Sequence, residues 1–138
     1  MVTKLNHTIV AAHDRKASAL FLSELLELPP PVLLGPFAAV TVGDELTLDF
    51  IDTEEEIHRQ HHAFLVSDRE FDRIFSRIEE RRLAYWADPH QKKREQINHC
   101  GRGVYFEDPN GHLLEILTRS YGTAGTATLL LKEQTVSP

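Results

Sequence analysis

Cysteine is nearly absent from this chain of 138 residues: Cys100 stands alone, so an intramolecular disulfide is impossible and a reducing compartment suits the composition. Excess positive charge is absent as well. With a formal net charge of −6 the chain lacks the basic surface that a nucleic acid or an anionic membrane requires, and its densest basic run, Lys92-Lys93-Arg94, is short. No apolar run approaches the roughly 20 residues that span a bilayer, and the first residues lack the basic-then-apolar pattern of a signal peptide. These absences predict a cytoplasmic protein that binds neither nucleic acid nor membrane.

What is present is an ordinary globular balance, 41% hydrophobic and 26% charged, enough to pack a core. The strand and helix signals come in an order that is written twice. Residues 2–12 read as a strand, Asp14 caps a helix whose apolar positions are Ala17, Leu20, Phe21, Leu25 and Leu28, and Pro29-Pro30-Pro31 ends it. Strands follow at Val32–Leu34, Phe37–Val42 and Leu46–Ile51, the last two joined by a turn at Gly43-Asp44. The second pass opens with "HHAFLV", takes Asp68 as its cap, and carries Phe71, Ile74, Phe75 and Ile78 on a helix face. Its strands are Ala84–Trp86, Gly103–Glu107 and Leu113–Thr118, with Asp108-Pro109-Asn110-Gly111 as a tight turn. The predicted fold is α+β, two βαβββ modules over residues 1–57 and 58–121, forming one domain with a tail at 122–138.

Matched residues strengthen the duplication. His7 and His61 each stand seven residues before an aspartate, Asp14 and Asp68, an offset of 54; Asp49 and Glu115 each interrupt an apolar strand, an offset of 66. The polar stretch Ala87–Gly101 accounts for the difference as a loop inserted in the second module, either a solvated surface or a lid.

Glu115 is the residue that most needs explaining. In "GHLLEIL" both strand faces are apolar, and a carboxylate buried without a partner costs several kcal/mol. It therefore pairs with an arginine, Arg102 or Arg119, or binds a metal. If the two modules pack about a pseudo-twofold axis, His7 and His61 converge, and two imidazoles with one carboxylate leave open positions on a divalent cation. His62 points to the other face. Asp49 has two readings, fourth ligand or bystander, because its face also carries Thr47 and its side chain is one methylene shorter. Tyr85, Trp86, Arg102 and Tyr121 are candidates for lining a substrate pocket, with Arg102 on an anionic group. His13, His58, His90, His99 and His112 fall in loops or at strand ends and are expected in solvent.

The paired βαβββ pattern with "LNHTIV", "HHAFLVSD" and "GRGVYFEDPNGHLLEI" resembles the vicinal oxygen chelate superfamily of glyoxalases, extradiol dioxygenases, fosfomycin-resistance enzymes and bleomycin-resistance proteins, over roughly residues 3–121. The resemblance implies a cupped, barrel-like mixed sheet with flanking helices and a divalent metal, of the set iron, nickel, zinc or manganese. His7, His61 and Glu115 would be its ligands, Glu115 the carboxylate of the catalytic centre, and Asp49 stands at the position of a fourth glyoxalase ligand. It also implies a small oxygen-bearing substrate chelated through neighbouring oxygens, and a homodimer, since family members often build each site from both chains. The sequence departs from individual branches: Asp49 replaces a glutamate of glyoxalases, and Ile9 replaces a threonine common in glutathione-type fosfomycin transferases. A dioxygenase would need a further histidine, His99 or His112. Two function classes follow, a metal-dependent lyase, isomerase or dioxygenase, and a metal-free bleomycin-resistance-like binding protein in which Glu115 pairs with arginine.

Overall fold

Alternation in the strands and a 3.6-residue repeat in the helices sort the side chains into one shared core and two open sheet faces. The computed structural model describes residues 2–99 and 101–119, so Tyr121, Cys100 and the segment 122–138 lie outside the described residues. The order is β1 (His7–Ala12), α1 (Arg15–Leu25), β2 (Val32–Leu34), β3 (Phe37–Val42) and β4 (Leu46–Asp52), then β5 (His61–Leu65), α2 (Asp68–Glu80), β6 (Tyr85–Trp86), β7 (Gly103–Glu107) and β8 (Leu113–Leu117). Each module contributes a four-stranded mixed sheet, β1-β4-β3-β2 and β5-β8-β7-β6, with the first and last strands parallel. The expected α+β pair of βαβββ modules is present, and within one chain the two sheets stay separate rather than closing into a barrel.

The ladder registers show the duplication directly. His7 pairs with Thr47 and Ile9 with Asp49; His61 pairs with Leu113 and Ala63 with Glu115. The offsets of 54 and 66 read from the sequence thus survive as backbone register.

Val10, Leu48, Phe50, Ala38 and Val40 of the first sheet meet α1, and Phe64, Val104, Phe106, Leu114 and Ile116 of the second join Phe71, Ile74 and Ile78 of α2 in the same buried cluster. Burying one such side chain contributes about 1.5–3 kcal/mol, so this core is what fixes one module on the other. Polar contacts reinforce the seam: Arg77 Nε donates to the Leu25 carbonyl at 3.0 Å, Glu27 accepts from Arg73 Nε at 3.2 Å, and the Arg77 guanidinium forms an ion pair with Glu27 at 2.8 Å.

The helix caps require one correction. Asp14 caps α1 as expected, taking the Lys16 and Ala17 N–H groups. For α2 the cap is Ser67 instead of Asp68. Ser67 Oγ accepts from Glu70 N–H at 3.1 Å while the Glu70 carboxylate takes Ser67 N–H at 3.0 Å, a reciprocal pair that Asp68 could not form, since the residue three positions after it is Phe71.

His112 is the second correction. Expected in solvent, it is fully buried, because both ring nitrogens find backbone partners: Nδ1 accepts from Gln60 N–H at 2.9 Å and Nε2 donates to the Ala11 carbonyl at 2.8 Å. Those bonds fix the tautomer and tie β1 to the start of β5. Asn110 adds a second tie, accepting from His13 N–H at 2.8 Å and donating to Ser18 Oγ at 2.9 Å. The other four loop histidines, His13, His58, His90 and His99, are exposed as expected.

Candidate functional site

Residues paired across a ladder share a face, so the register gives each open face its composition. On the first sheet His7, Ile9, Thr47 and Asp49 face outward; on the second His61, Leu65, Glu115, Tyr105 and Trp86 do. β8 is an interior strand, flanked by β5 and β7, which leaves the Glu115 side chain only 14% exposed.

His61 and Glu115 meet. His61 Nε2 stands 3.2 Å from Glu115 Oε1, while His61 Nδ1 bonds the Leu113 carbonyl at 3.0 Å. A carbonyl only accepts, so Nδ1 carries the proton and Nε2 turns its other valence toward the carboxylate. Two acceptors at that distance need a cation or a proton between them. This is the arrangement metal-ligating histidines use, with the second nitrogen donating to a carbonyl that fixes the tautomer. The distance agrees: donors about 2.1 Å from one metal and separated by 3.2 Å subtend roughly 100°, as two neighbouring positions of a coordination sphere do. The donor pair therefore fits a divalent cation. Tyr105 stacks on His61 with ring centroids 5.9 Å apart and 26° between planes.

His7 and Asp49 lie on the other sheet. His7 Nδ1 is 2.7 Å from Asn6 Oδ1, and Asp49 accepts from the Thr47 hydroxyl at 2.8 Å. Among the described residues no three His, Cys, Asp or Glu side chains are grouped to hold a metal, so a single chain assembles His61 with Glu115 but not with His7 or Asp49.

The remaining candidates divide between faces. Trp86 pairs with Tyr105 and shares the Glu115 face. Tyr85 points the other way, edge-on to Phe75 with centroids 5.0 Å apart, and burial pushes its hydroxyl up from the usual phenol range. Arg102 is committed to α2: it pairs with Asp68 and Asp72 at 3.0 and 2.7 Å and lies 4.5 Å above the Phe71 ring. It does not bridge to Glu115. Tyr121 lies outside the described residues. His62, half-buried on the helix side, is held below the ordinary imidazole value by burial first and by His112 second.

Tyr105 was missed. The signal was available, since Tyr105 and Glu115 are each five residues from Asn110 in the turn, and an antiparallel hairpin centred there places them side by side. The inserted loop also proves ordered: Ala87 N–H bonds the Lys93 carbonyl at 3.0 Å, Glu95 N–H the Tyr85 carbonyl at 2.9 Å, and the Asp88 carboxylate takes the Lys92 and Lys93 N–H groups.

No family model matches the chain. It is 31% identical to the glutathione transferase FosA of Serratia marcescens over 122 residues, covering 84% of this chain and 81% of that protein. It is 28% identical to the metallothiol transferase FosB of Shouchella clausii over 123 residues, covering 86% and 82%. Among solved structures, that of oxidase ChaP-H2 superposes with a TM-score of 0.87 at 55% identity, covering 91% of this chain and 100% of that one. These relatives are enzymes. With a paired βαβββ fold, a histidine–carboxylate pair shaped for a divalent cation and relatives of this kind, the chain belongs to the vicinal oxygen chelate superfamily.

Proposed function

We propose that this chain is a metal-dependent oxidase acting on a small molecule with two neighbouring oxygens, in a site that two copies build together. The observation that carries the reading is the facing of His61 Nε2 and Glu115 Oε1 at 3.2 Å, with Nδ1 already occupied. A divalent metal bound there supplies a Lewis acid for a substrate's paired oxygens. His61 and Glu115 hold it, the Leu113 carbonyl keeps the imidazole oriented, and Tyr105 and Trp86 bound the approach. Oxidation is preferred to lyase chemistry because the 55% identity to an oxidase spans nearly the whole chain, and because Asp49 is bonded to Thr47 where a glyoxalase would use a longer carboxylate.

The second copy is argued from what one chain leaves uncovered. His7 faces outward beside Ile9, which is 51% exposed, and on the other sheet Leu65, at the far end of β5 on the His61 face, is 60% exposed. The edge strand β2 exposes Val32, Leu33 and Leu34. Exposed apolar side chains on both open faces and at the β2 edge mark surface that a second copy would cover. In the proposed homodimer the first sheet of one chain faces the second sheet of its partner, so that His7 of one copy completes the His61–Glu115 pair of the other. A metal-free binding protein would pair Glu115 with arginine, and Arg102 is instead spent on α2.

The test is elemental analysis of purified protein together with complementation. Wild type should hold metal, and His7→Ala, Glu115→Gln and His61→Ala should each hold little. Co-expressing His7→Ala with Glu115→Gln should restore about a quarter of the wild-type metal, because about half the dimers are mixed and each mixed dimer has one intact and one doubly altered site. Absence of metal from wild type would sink the reading, and failure to complement would sink the shared site. Oxygen uptake with 2,3-dihydroxynaphthalene, compared with turnover under nitrogen, tests the oxidase assignment.

A further inference from the structure

The second sheet's open face carries more than the histidine and the carboxylate. One ladder rung runs Ala63, Glu115, Tyr105, Trp86 across β5, β8, β7 and β6. It does not stop at β6. The inserted loop returns alongside as an extra antiparallel bridge in which Arg94 stands opposite Trp86. The flanking bonds, Ala87 N–H to Lys93 and Glu95 N–H to Tyr85, make Trp86 and Arg94 a non-hydrogen-bonded pair, the kind whose side chains lie closest. Partners in such a pair share a face, so the rung ends in a guanidinium on the side where it began with a carboxylate.

The loop is built to hold that position. Asp88 takes two N–H groups of the tip, Gln91 and Glu95 adopt left-handed backbone conformations that let the chain turn back, and Gln91 Oε1 accepts from Arg59, two residues before His61, at 3.0 Å. Arg59 in turn pairs with Glu107 at 3.3 Å, and Arg102 with Asp68 and Asp72. Arg94, exposed, has no ion-pair partner among the described residues, and neither do Arg69, Arg81, Arg82 and Arg119; what sets Arg94 apart is its place opposite Trp86. A guanidinium at the end of an aromatic row suits an anion brought by a ligand.

We infer that Arg94 selects substrates bearing an anionic group distal to the chelating oxygens, on an aromatic body that lies along Tyr105 and Trp86; this rests on the proposed metal site at His61 and Glu115. Adjacent strands are about 4.8 Å apart, so the three steps from β8 to Arg94 span roughly 14 Å, and an arginine side chain reaching inward shortens this to about the length of two fused rings. The substrate class is a hydroxylated polycyclic aromatic carboxylate or sulfonate, and the inserted loop is the element that reads its charge.

The test uses calorimetric titration of the metal-loaded protein with three probes: 2,3-dihydroxynaphthalene, 6,7-dihydroxynaphthalene-2-sulfonate and naphthalene-2-sulfonate. Wild type should bind the sulfonated diol about tenfold tighter than the neutral diol, the scale of one charge-assisted pair. Arg94→Gln should reduce the sulfonated diol to the level of the neutral one, Arg94→Lys should keep part of the preference, and Lys93→Gln, on the alternate register, should keep all of it. A preference that survives Arg94→Gln, or a wild type that shows none, overturns the assignment. Failure of the metal reading shows separately, as neutral-diol binding that is indifferent to EDTA, while Arg94 dependence is still read from naphthalene-2-sulfonate.

Discussion

The imidazole of His61 is held from behind by the Leu113 carbonyl and faces Glu115 in front, so one strand pairing, β5 with β8, sets both the tautomer and the donor spacing. A ligand that binds only the folded state stabilises it by mass action, about 2.7 kcal/mol at a hundredfold excess over Kd, or roughly 10 °C in a domain of this size. EDTA should therefore lower the melting temperature of wild type by an amount of that order and leave Glu115→Gln unmoved. Equal response of both proteins in differential scanning fluorimetry would disconnect Glu115 from the metal.

His112 should be a principal pin between modules, because its ring links the Ala11 carbonyl of β1 to the Gln60 N–H that precedes β5. His112→Phe keeps the volume and strands both backbone groups in the interior, each costing about 1–3 kcal/mol. Urea denaturation should show a loss of about 2–5 kcal/mol, with His58→Ala, on an exposed residue, nearly silent. A His112→Phe loss under about 0.5 kcal/mol would mean that the two groups find other partners.

Much of this was legible in the sequence because it is local. Period-two alternation and the proline and glycine punctuation placed all eight strands and both helices, most within a residue or two, although β1 starts five residues later than expected and α1 ends three residues before Leu28, and the His7/His61 and Asp49/Glu115 offsets anticipated the ladder registers. What failed was decided at long range or by chemistry finer than residue type. His112 sits at a strand end, where solvent is the default, and its acceptor Ala11 is 101 residues away. Ser67 displaced Asp68 as cap because of a reciprocal bond with Glu70. The meeting of His7 with His61, expected within one pseudo-symmetric chain, does not occur there, since the helices and not the open sheet faces pack together.

Arg102 ties the residue before β7 to the first turn of α2 through Asp68, Asp72 and the Phe71 ring. Such partly exposed networks contribute about 1 kcal/mol. Arg102→Gln should lower stability by about that much in chemical denaturation and leave metal content as in wild type. Loss of metal with unchanged stability would return Arg102 to the site.

Asp52 gives the pH dependence. Its carboxyl is held below the ordinary carboxylate range, first by the Arg15 N–H, which it accepts at 2.7 Å, and also by the Arg15 guanidinium. A carboxylate whose folded pKa is depressed contributes stability above its unfolded pKa and loses it as pH falls through the folded one. At pH 7 Asp52→Asn should therefore melt below wild type, and the gap should narrow as pH drops from about 5 toward 3. The group is on the surface, so the gap should also shrink when salt is raised from about 0.01 to 1 M, where the screening length falls from roughly 30 to 3 Å. A gap that is constant across that pH range would show that the amide substitution disturbs packing or hydrogen-bond geometry at the start of α1, and that the lost charge is not the cause.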